Sequence, residues 1–224
     1  MPPVPPTARR PPRLERRLVA VDGALSDGGS WSGVSAEATD VVGPVAADAE
    51  IIGSRLRGVR FTGSILERLR LIDVVLEDCE LSGAVLEEAT WARVQFHRCR
   101  LSGLVASGLK AHDVAFVECR ADGSNFRMSS WERCRFADTD LREADFYAAR
   151  LGGCAFLRCD LREVELSRAV CRGAALHGSR LDGLRGAEAL RGCVVGSDQI
   201  VPLALAVFGA LHIRVDDDAA PDGS

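Results

Sequence analysis

The chain has 224 residues, of which 47% are hydrophobic, so it is long enough to bury one sizeable core. Its formal net charge of −4 argues against a non-specific nucleic-acid binder. The sequence has no run of about 18 apolar residues that could cross a membrane, and its start lacks the apolar region of a secretory signal. We therefore expect a cytoplasmic protein.

The first fifty residues show little regular pattern. Residues 1–13 are rich in proline and arginine and are predicted to be a disordered tail. Within residues 14–50, Trp31 and Val41 keep the phase of the region that follows, but Pro44 and many small residues blur it. We predict a cap or an irregular first coil over residues 14–50.

From residue 51 the sequence repeats every five residues. In "CRFADTDLREADFYAARLGGCAFLRCDL" (residues 134–161), phenylalanine and leucine alternate at every fifth position. An apolar helix face repeats every 3.6 residues and a strand face every 2, so neither explains this spacing. Between Leu56 and Leu181, 22 of 26 such positions hold Leu, Phe or Trp. A small residue stands two places earlier in 23 of the 26 units, and a short fixed period of this kind predicts a solenoid.

The units "ADFYA", "CDLRE" and "TDLRE" resemble those of the pentapeptide-repeat proteins. The resemblance implies an all-β solenoid over residues 51–185, a right-handed quadrilateral β-helix with four pentapeptides in each of about seven coils. It also implies that the large residue and the residue two places earlier point inward. Twenty residues would then return the chain to the same wall, about 4.8 Å further along the axis.

Columns of residues twenty apart agree with this geometry. One column passes from leucine to phenylalanine and back: Leu56, Leu76, Phe96, Phe116, Phe136, Phe156 and Leu176. Another holds four of the eight cysteines, Cys79, Cys99, Cys119 and Cys159. We interpret these thiols as small interior hydrophobes, since they lack the C-x₂₋₄-C spacing of metal sites. A third column, two places after the large residue, holds mostly glycine, which suits a corner with positive φ. Glu143 and Glu163 replace glycine in this column, which predicts either a different turn or a role for an acidic residue there.

Beyond Leu181 the period ends, and residues 186–215 are predicted to form a C-terminal α-helix and a strand, followed by an acidic tail over residues 216–224. Ser197 is the predicted N-cap. Residues 200–211 are apolar almost all round, unlike a solvent-exposed helix. Two uses stay open: the helix plugs the last coil, or its outer face meets a second copy, as such helices often do in pentapeptide-repeat proteins. The candidate residues are Leu203, Val207, Phe208 and Leu211.

The sequence holds no recognisable catalytic pattern. His97 and His177 share a column but lie four coils apart, about 19 Å at strand spacing. A Ser–His–Asp order, a phosphate-binding loop and an HExxH motif are all missing. We predict a non-catalytic protein without cofactor or metal, and an enzyme is the least favoured class.

Two outward surfaces are candidate binding sites. The first is an apolar stripe of Ile65, Val85 and Val105, which either residues 14–50 or a protein partner would cover. The second is a charged patch on two adjacent coils: Asp140, Arg142, Glu143, Asp145, Asp160, Arg162, Glu163 and Glu165. It is either a solvated face with ion pairs between coils or an acidic ridge for a basic protein surface.

The predicted function is a protein-interaction scaffold, with a homodimer as one option and with no direct nucleic-acid or membrane partner. The resemblance supplies the alternative. The best-studied pentapeptide-repeat proteins confer quinolone resistance and bind DNA gyrase or topoisomerase IV with a rod that resembles B-DNA in width and charge. Residues 55–185 carry 21 basic and 19 acidic side chains, so this near-neutral coil weakens the alternative of a topoisomerase modulator.

Overall fold

Short parallel strands, each stacked on its counterpart one coil earlier, build the body of the protein. The computed structural model describes residues 9–21, 25–38, 40 and 45–213. All described strands belong to one sheet. The strands are β1 (Val19–Ala20), β2 (Ser30–Ser32), β3 (Val34–Glu37), β4 (Glu50–Ile52), β5 (Arg55–Arg57), β6 (Arg70–Glu77), β7 (Thr90–His97), β8 (Lys110–His112), β9 (Ala115–Val117), β10 (Ser130–Glu132), β11 (Arg135–Ala137) and β12 (Ala155–Leu157).

The pairing register repeats every twenty residues. Leu71 lies beside Trp91, Phe96 beside Phe116, and so on through parallel pairs. The whole solenoid makes about six turns, each of which is one coil. Each coil has four walls, and each wall is formed by one pentapeptide. The predicted solenoid of pentapeptides is therefore confirmed.

Each of the four walls carries one column of large inward residues. The first wall holds Ile51, Leu71, Trp91, Ala111, Trp131 and Leu151; the second holds Leu56, Leu76, Phe96, Phe116, Phe136, Phe156 and Leu176; the third holds Phe61, Leu81, Leu101, Ala121, Leu141, Leu161 and Leu181; the fourth holds Leu66, Leu86, Ala106, Phe126, Phe146 and Leu166.

Both inward positions of the repeat are buried throughout the coil, as predicted. On the second wall, Phe96, Phe116 and Phe136 stack face to face with ring centroids 4.7 Å apart. This distance matches the spacing of adjacent strands, about 4.7–4.9 Å. Leu104 and Leu109 exchange places with Ala106 and Ala111 and all four are buried. The exchange therefore conserves interior volume.

Every corner of the coil turns in the same way. The residue two places after each large residue has a left-handed backbone, with φ between 51° and 78° from Gly53 to Gly183. Glu143 and Glu163 both have φ of 58°, so the expectation that they turn differently is wrong. A non-glycine residue in this conformation costs about 1 kcal/mol or more, which the surrounding register must offset.

A short cap closes the C-terminal end of the coil. It comprises 3₁₀ turns at Ala187–Leu190 and Ser197–Gln199 and helix α1 (Ile200–Ala210). The α-helix thus begins at Ile200, after a 3₁₀ turn, and Ser197 is not its N-cap. Among the described residues, no helix is long and apolar enough to span a membrane. The predicted strand beyond Ile213 and the acidic tail lie outside the described residues.

Gln199 anchors this cap. Its side chain is buried, and its Nε2 donates hydrogen bonds to the carbonyls of Leu176 and Ser179, both at 2.6 Å. These carbonyls belong to the last coil, where no further coil supplies a partner. Leu203 and Val207 pack against the core from α1. Within the described chain, α1 therefore caps the coil.

Candidate functional site

The apolar stripe lies on the outside of the fourth wall and is one coil longer than the sequence predicts. Val45 pairs with Ile65, Ile65 with Val85, and Val85 with Val105. Val45 is 61% exposed and Ile65 is 36% exposed, whereas Val85 and Val105 are half-buried. The stripe spans about 14 Å at the spacing of adjacent strands. Val45 escaped the sequence analysis because the period is blurred before residue 51.

A row of glycines makes the surface beside the stripe flat. At Gly63, Gly83 and Gly103 an added Cβ would meet nothing within 4 Å. Exposed charged residues, Arg100 on the third wall and Glu87 on the fourth, border this area. A flat apolar centre with a charged rim is typical of protein–protein interfaces.

The described part of the N-terminal segment does not cover this stripe. Its described residues 9–15 lie at the corner between the first and second walls, where the backbone N–H groups of Arg10 and Arg13 donate to Asp113 and Asp73. The interpretation that residues 14–50 fold over the stripe is therefore wrong for the described residues. Residues 9–13 also differ from the predicted disordered tail, since these contacts hold them on the coil. Residues 1–8 lie outside the described residues.

The charged patch is largely neutralised by arginines. Arg142 binds Asp140 and Arg162 binds Asp160, each with an Nη2–Oδ2 distance of 2.7 Å. Arg127 and Arg185, outside the predicted set, contact Asp145 at 2.8 Å and Glu165 at 3.2 Å. Glu143 and Glu163 are exposed on adjacent coils. The structure therefore brings the eight predicted residues together as a face of ion pairs, with these two glutamates as its outermost acids.

The ion pairs lower the pKa values of the patch aspartates. Hydrogen bonds from the Arg162 side chain lower the pKa of Asp160 below its usual value. Burial alone would raise the pKa of Asp140, but hydrogen bonds from Arg142 outweigh it and the pKa is lowered. Both aspartates therefore stay charged at neutral pH and present a paired surface.

A second set of ion pairs, missed by the sequence analysis, joins adjacent coils at their corners. In each pair an aspartate with positive φ lies one coil before an arginine with positive φ. The pairs are Asp48–Arg68, Asp73–Arg93, Asp78–Arg98, Asp113–Arg133 and Asp138–Arg158. An aspartate followed by an arginine twenty residues later, at the corner position, would have revealed them.

Two of these corner aspartates are shielded from solvent. The side chain of Asp113 is 1% exposed and that of Asp73 is 12% exposed. The Arg133 guanidinium lowers the pKa of Asp113 well below its usual value. Burial would raise the pKa of Asp73, but hydrogen bonds from Arg93 and the Arg13 backbone lower it overall. Each carboxylate is thus held in its charged form.

These shifts predict acid sensitivity. Because the folded pKa of Asp113 is depressed, its contribution to stability is complete above the unfolded value of about 3.9 and is lost as the pH falls through the folded pKa. Asp113→Asn should lower the free energy of unfolding at pH 7 by about 1–3 kcal/mol. It should also reduce the drop in melting temperature below about pH 4. Thermal melts from pH 7 to pH 2 check this.

Asp182→Asn is the matched control, because Asp182 is an exposed aspartate on a later coil. It should leave both the neutral stability and the acid profile unchanged. Parallel acid profiles for wild type and Asp113→Asn would contradict the account of Asp113.

Helix α1 presents a second apolar surface. Val201 and Leu205 are 74% and 72% exposed, on the side away from Leu203 and Val207. Of the four predicted residues, Leu203 and Val207 thus face the coil, while Phe208 and Leu211 are exposed. The cap therefore leaves an outer apolar face open.

Within the described residues, the cavity in the interior of the last coils is too small for a substrate. The cavity inside the last coils, lined by residues such as Phe146, Leu151 and Phe156, measures about 10 Å³, close to the volume needed for one water molecule. The column of Cys79, Cys99 and Cys119 is buried. In the part of the chain that the structure describes, no group of three or more His, Cys, Asp or Glu side chains could hold a metal ion.

Residues 89–166 match the family model described as pentapeptide repeat region. No curated protein matches the sequence. Full-length QnrB1, a plasmid-mediated fluoroquinolone resistance protein, is similar in structure with a TM-score of 0.49 and 18% identity, over 84% of this chain and 99% of that one. HetL, a pentapeptide repeat protein involved in heterocyst differentiation regulation from the cyanobacterium Nostoc sp. strain PCC 7120, has a TM-score of 0.28 and 16% identity, over 84% of this chain and 90% of that one.

Residues 89–166 therefore carry a pentapeptide repeat region, and the same five-residue repeat continues through the rest of the coil.

Proposed function

We propose that the protein is a non-catalytic interaction scaffold of the cytoplasm, and that a protein partner docks on the stripe formed by Val45, Ile65, Val85 and Val105. The observation that carries this proposal is the straight row of four outward apolar side chains, of which Val45 and Ile65 are exposed and Val85 and Val105 are half-buried. Stacked side chains fill the interior, so the outer walls are the surface available for recognition.

The stripe suits a flat apolar partner surface. The β-branched residues Ile65, Val85 and Val105 are stiff at χ1, so little side-chain entropy is lost on binding. The glycines beside them allow close approach of a second backbone. The rigid register of the coil keeps the row straight, which favours a partner of complementary, preorganised shape.

A charge placed in the stripe tests the proposal. Val85→Glu should abolish capture of the partner from a lysate of the source cells, because binding would bury the carboxylate. Val117→Glu is the matched control, since Val117 is also a half-buried outward valine but lies on the opposite, second wall. A partner captured by wild type and Val117→Glu but not by Val85→Glu supports the stripe. Equal capture by all three proteins contradicts it.

The outer face of α1 supports a second candidate, a homodimer. Val201 and Leu205 leave a contiguous apolar surface on one side of the cap, and such patches mark association sites. Light scattering at micromolar concentration should give twice the chain mass of 24.0 kDa, and Leu205→Glu should give the monomer. Val170→Glu, at an exposed valine on the first wall, is the control. A monomeric wild type would end the dimer proposal.

A topoisomerase partner remains the alternative for the charged patch. Its support lies in Glu143 and Glu163, the exposed glutamates stacked on adjacent coils. A gyrase supercoiling assay with and without a fluoroquinolone tests it. Inhibition or drug protection that is lost in Glu143→Lys/Glu163→Lys would favour this alternative, and inhibition unchanged by those substitutions would contradict the role of the patch.

A further inference from the structure

The N-terminal arm, residues 9–15, fills a groove at the corner between the first and second walls. The Arg10 N–H donates to Asp113 Oδ1 at 3.0 Å, and the Arg13 N–H donates to Asp73 Oδ1 at 2.9 Å. The Glu15 N–H then donates to the Gly53 carbonyl at 3.2 Å. The arm therefore runs along the coil axis against the direction of coil growth, and the groove binds its backbone.

The spacing of these contacts matches an extended proline-rich chain. Asp73 and Asp113 lie two coils apart, about 9.6 Å at strand spacing. Three residues of polyproline II helix, from Arg10 to Arg13, advance about 9.3 Å. Pro11 and Pro12 occupy the two positions between and carry no N–H. Each N–H that the arm offers in this stretch thus meets a carboxylate.

Two arginines of the coil, Arg93 and Arg133, hold the carboxylates of the groove in addition to the arm. Arg93 binds both oxygens of Asp73 at 2.6 Å, and Arg133 binds both oxygens of Asp113 at 2.8 and 2.9 Å. These bidentate pairs fix the carboxylates from within the coil. Between them lie outward-facing apolar residues that are nonetheless buried: Val75, Ala92 and Ala115. The groove is therefore lined by apolar side chains and has a carboxylate acceptor, Asp73 or Asp113, on every second coil.

Most residues of the arm are exposed, although Arg9 is half-buried. The side chains of Arg10 and Arg13 are exposed, so the groove recognises their N–H groups and their charge and does not enclose them. Pro12 and Leu14 are half-buried, in alternation with exposed neighbours. Release of the arm would therefore expose a preformed site without unfolding any coil.

We infer that this groove is a peptide-binding site for an extended, proline-containing, positively charged segment of a partner protein, and that the arm occupies it as an internal competitor. The arm itself defines the chemistry: two main-chain donors three residues apart, prolines between them and arginines that offset the acidic acceptors. The site lies at the corner between the first and second walls, apart from the apolar stripe on the fourth wall, and does not depend on that stripe.

A variant that releases the arm tests this inference without removing any part of the chain. Arg10→Pro/Arg13→Pro removes both N–H donors of the arm and leaves the groove intact. A fluorescein-labelled peptide with the sequence of residues 9–16, RRPPRLER, should bind this variant in an anisotropy titration. Wild type should bind about tenfold or more weakly, because its tethered arm competes at high effective concentration.

Two matched controls test whether the peptide binds in the groove. The same peptide N-methylated at the two donor nitrogens keeps its charge and should bind about tenfold or more weakly. Adding Asp73→Asn/Asp113→Asn to the arm variant should weaken binding of the unmodified peptide similarly. Equal binding to wild type and arm variant, or no loss on N-methylation, would overturn the inference, as would no binding to an arm variant whose circular dichroism is that of wild type.

Hydrogen exchange keeps the test valid if the double variant does not fold. Excess unlabelled peptide added to wild type should speed exchange of the Arg10 and Arg13 amides, since it displaces the arm. Unchanged exchange at saturating peptide would contradict the inference. A wild-type dimer that Arg13→Pro abolishes would also overturn it, because the occupant would then be the arm of a second copy.

Discussion

Phe116→Ala is expected to lower the free energy of unfolding by about 3–5 kcal/mol, because it removes a fully buried aromatic ring from a close-packed column. The Phe116 ring lies 4.7 Å from both Phe96 and Phe136, within 3° of parallel. Trp91 and Trp131 touch it from the first wall, each at 6.1 Å between centroids. Each neighbour would lose a contact, and the rigid coils on either side would prevent collapse of the cavity.

Denaturant unfolding followed by far-ultraviolet circular dichroism measures this loss. Val117→Ala is the control, because the next residue is a half-buried outward valine in the same strand. We expect it to cost about 1 kcal/mol or less. Equal losses for the two variants would mean that the aromatic column contributes no more than an outer side chain.

Gly186→Ala should destabilise the protein by about 2–5 kcal/mol, combining backbone strain with a steric clash. Gly186 has φ of 76°, and an added Cβ would lie 2.3 Å from the Ser167 nitrogen and 2.6 Å from the Leu166 carbonyl carbon. Backbone atoms cannot move aside as a flexible side chain can. The substitution should therefore push the C-terminal cap away from the last coil and weaken the Gln199 anchor.

The matched control is Gly123→Ala. Gly123 has a similar φ of 63°, but nothing lies within 4 Å of the added Cβ. It should cost only the strain of the left-handed backbone, about 1–2 kcal/mol. Thermal melts of both variants, with proteolysis to detect release of residues 186–213, separate the clash from the strain. Indistinguishable melting temperatures would contradict the proposed contact at Gly186.

The interior of this protein could be predicted almost entirely from its sequence. A repeat of five residues forces the same two positions inward in every unit, so the burial of Phe96, Phe116 and the cysteine column follows from counting. The stripe of Ile65, Val85 and Val105 was found for the same reason. Residues twenty apart become neighbours, so outward columns can be read as well as inward ones.

The arm and the start of α1 could not be predicted in this way. Arg9 to Glu15 have no apolar period, and their proline and arginine content is typical of disorder. Their order comes from Asp73 and Asp113, which are distant in sequence. At the C-terminus, Ser197 has the features of an N-cap, but Gln199 donates to carbonyls of the last coil from within a 3₁₀ turn, and the α-helix starts after that turn.

The arm also bears on how the chain assembles. The backbone bonds that join coils link residues about twenty apart, so coils can add one after another with little loop entropy to overcome. The bond from Arg10 to Asp113 spans 103 residues. During synthesis from the N-terminus, the arm must therefore remain free until the coil that carries Asp113, and the Arg133 that orients it, has left the ribosome. The arm is made before the coils that it binds and docks after them.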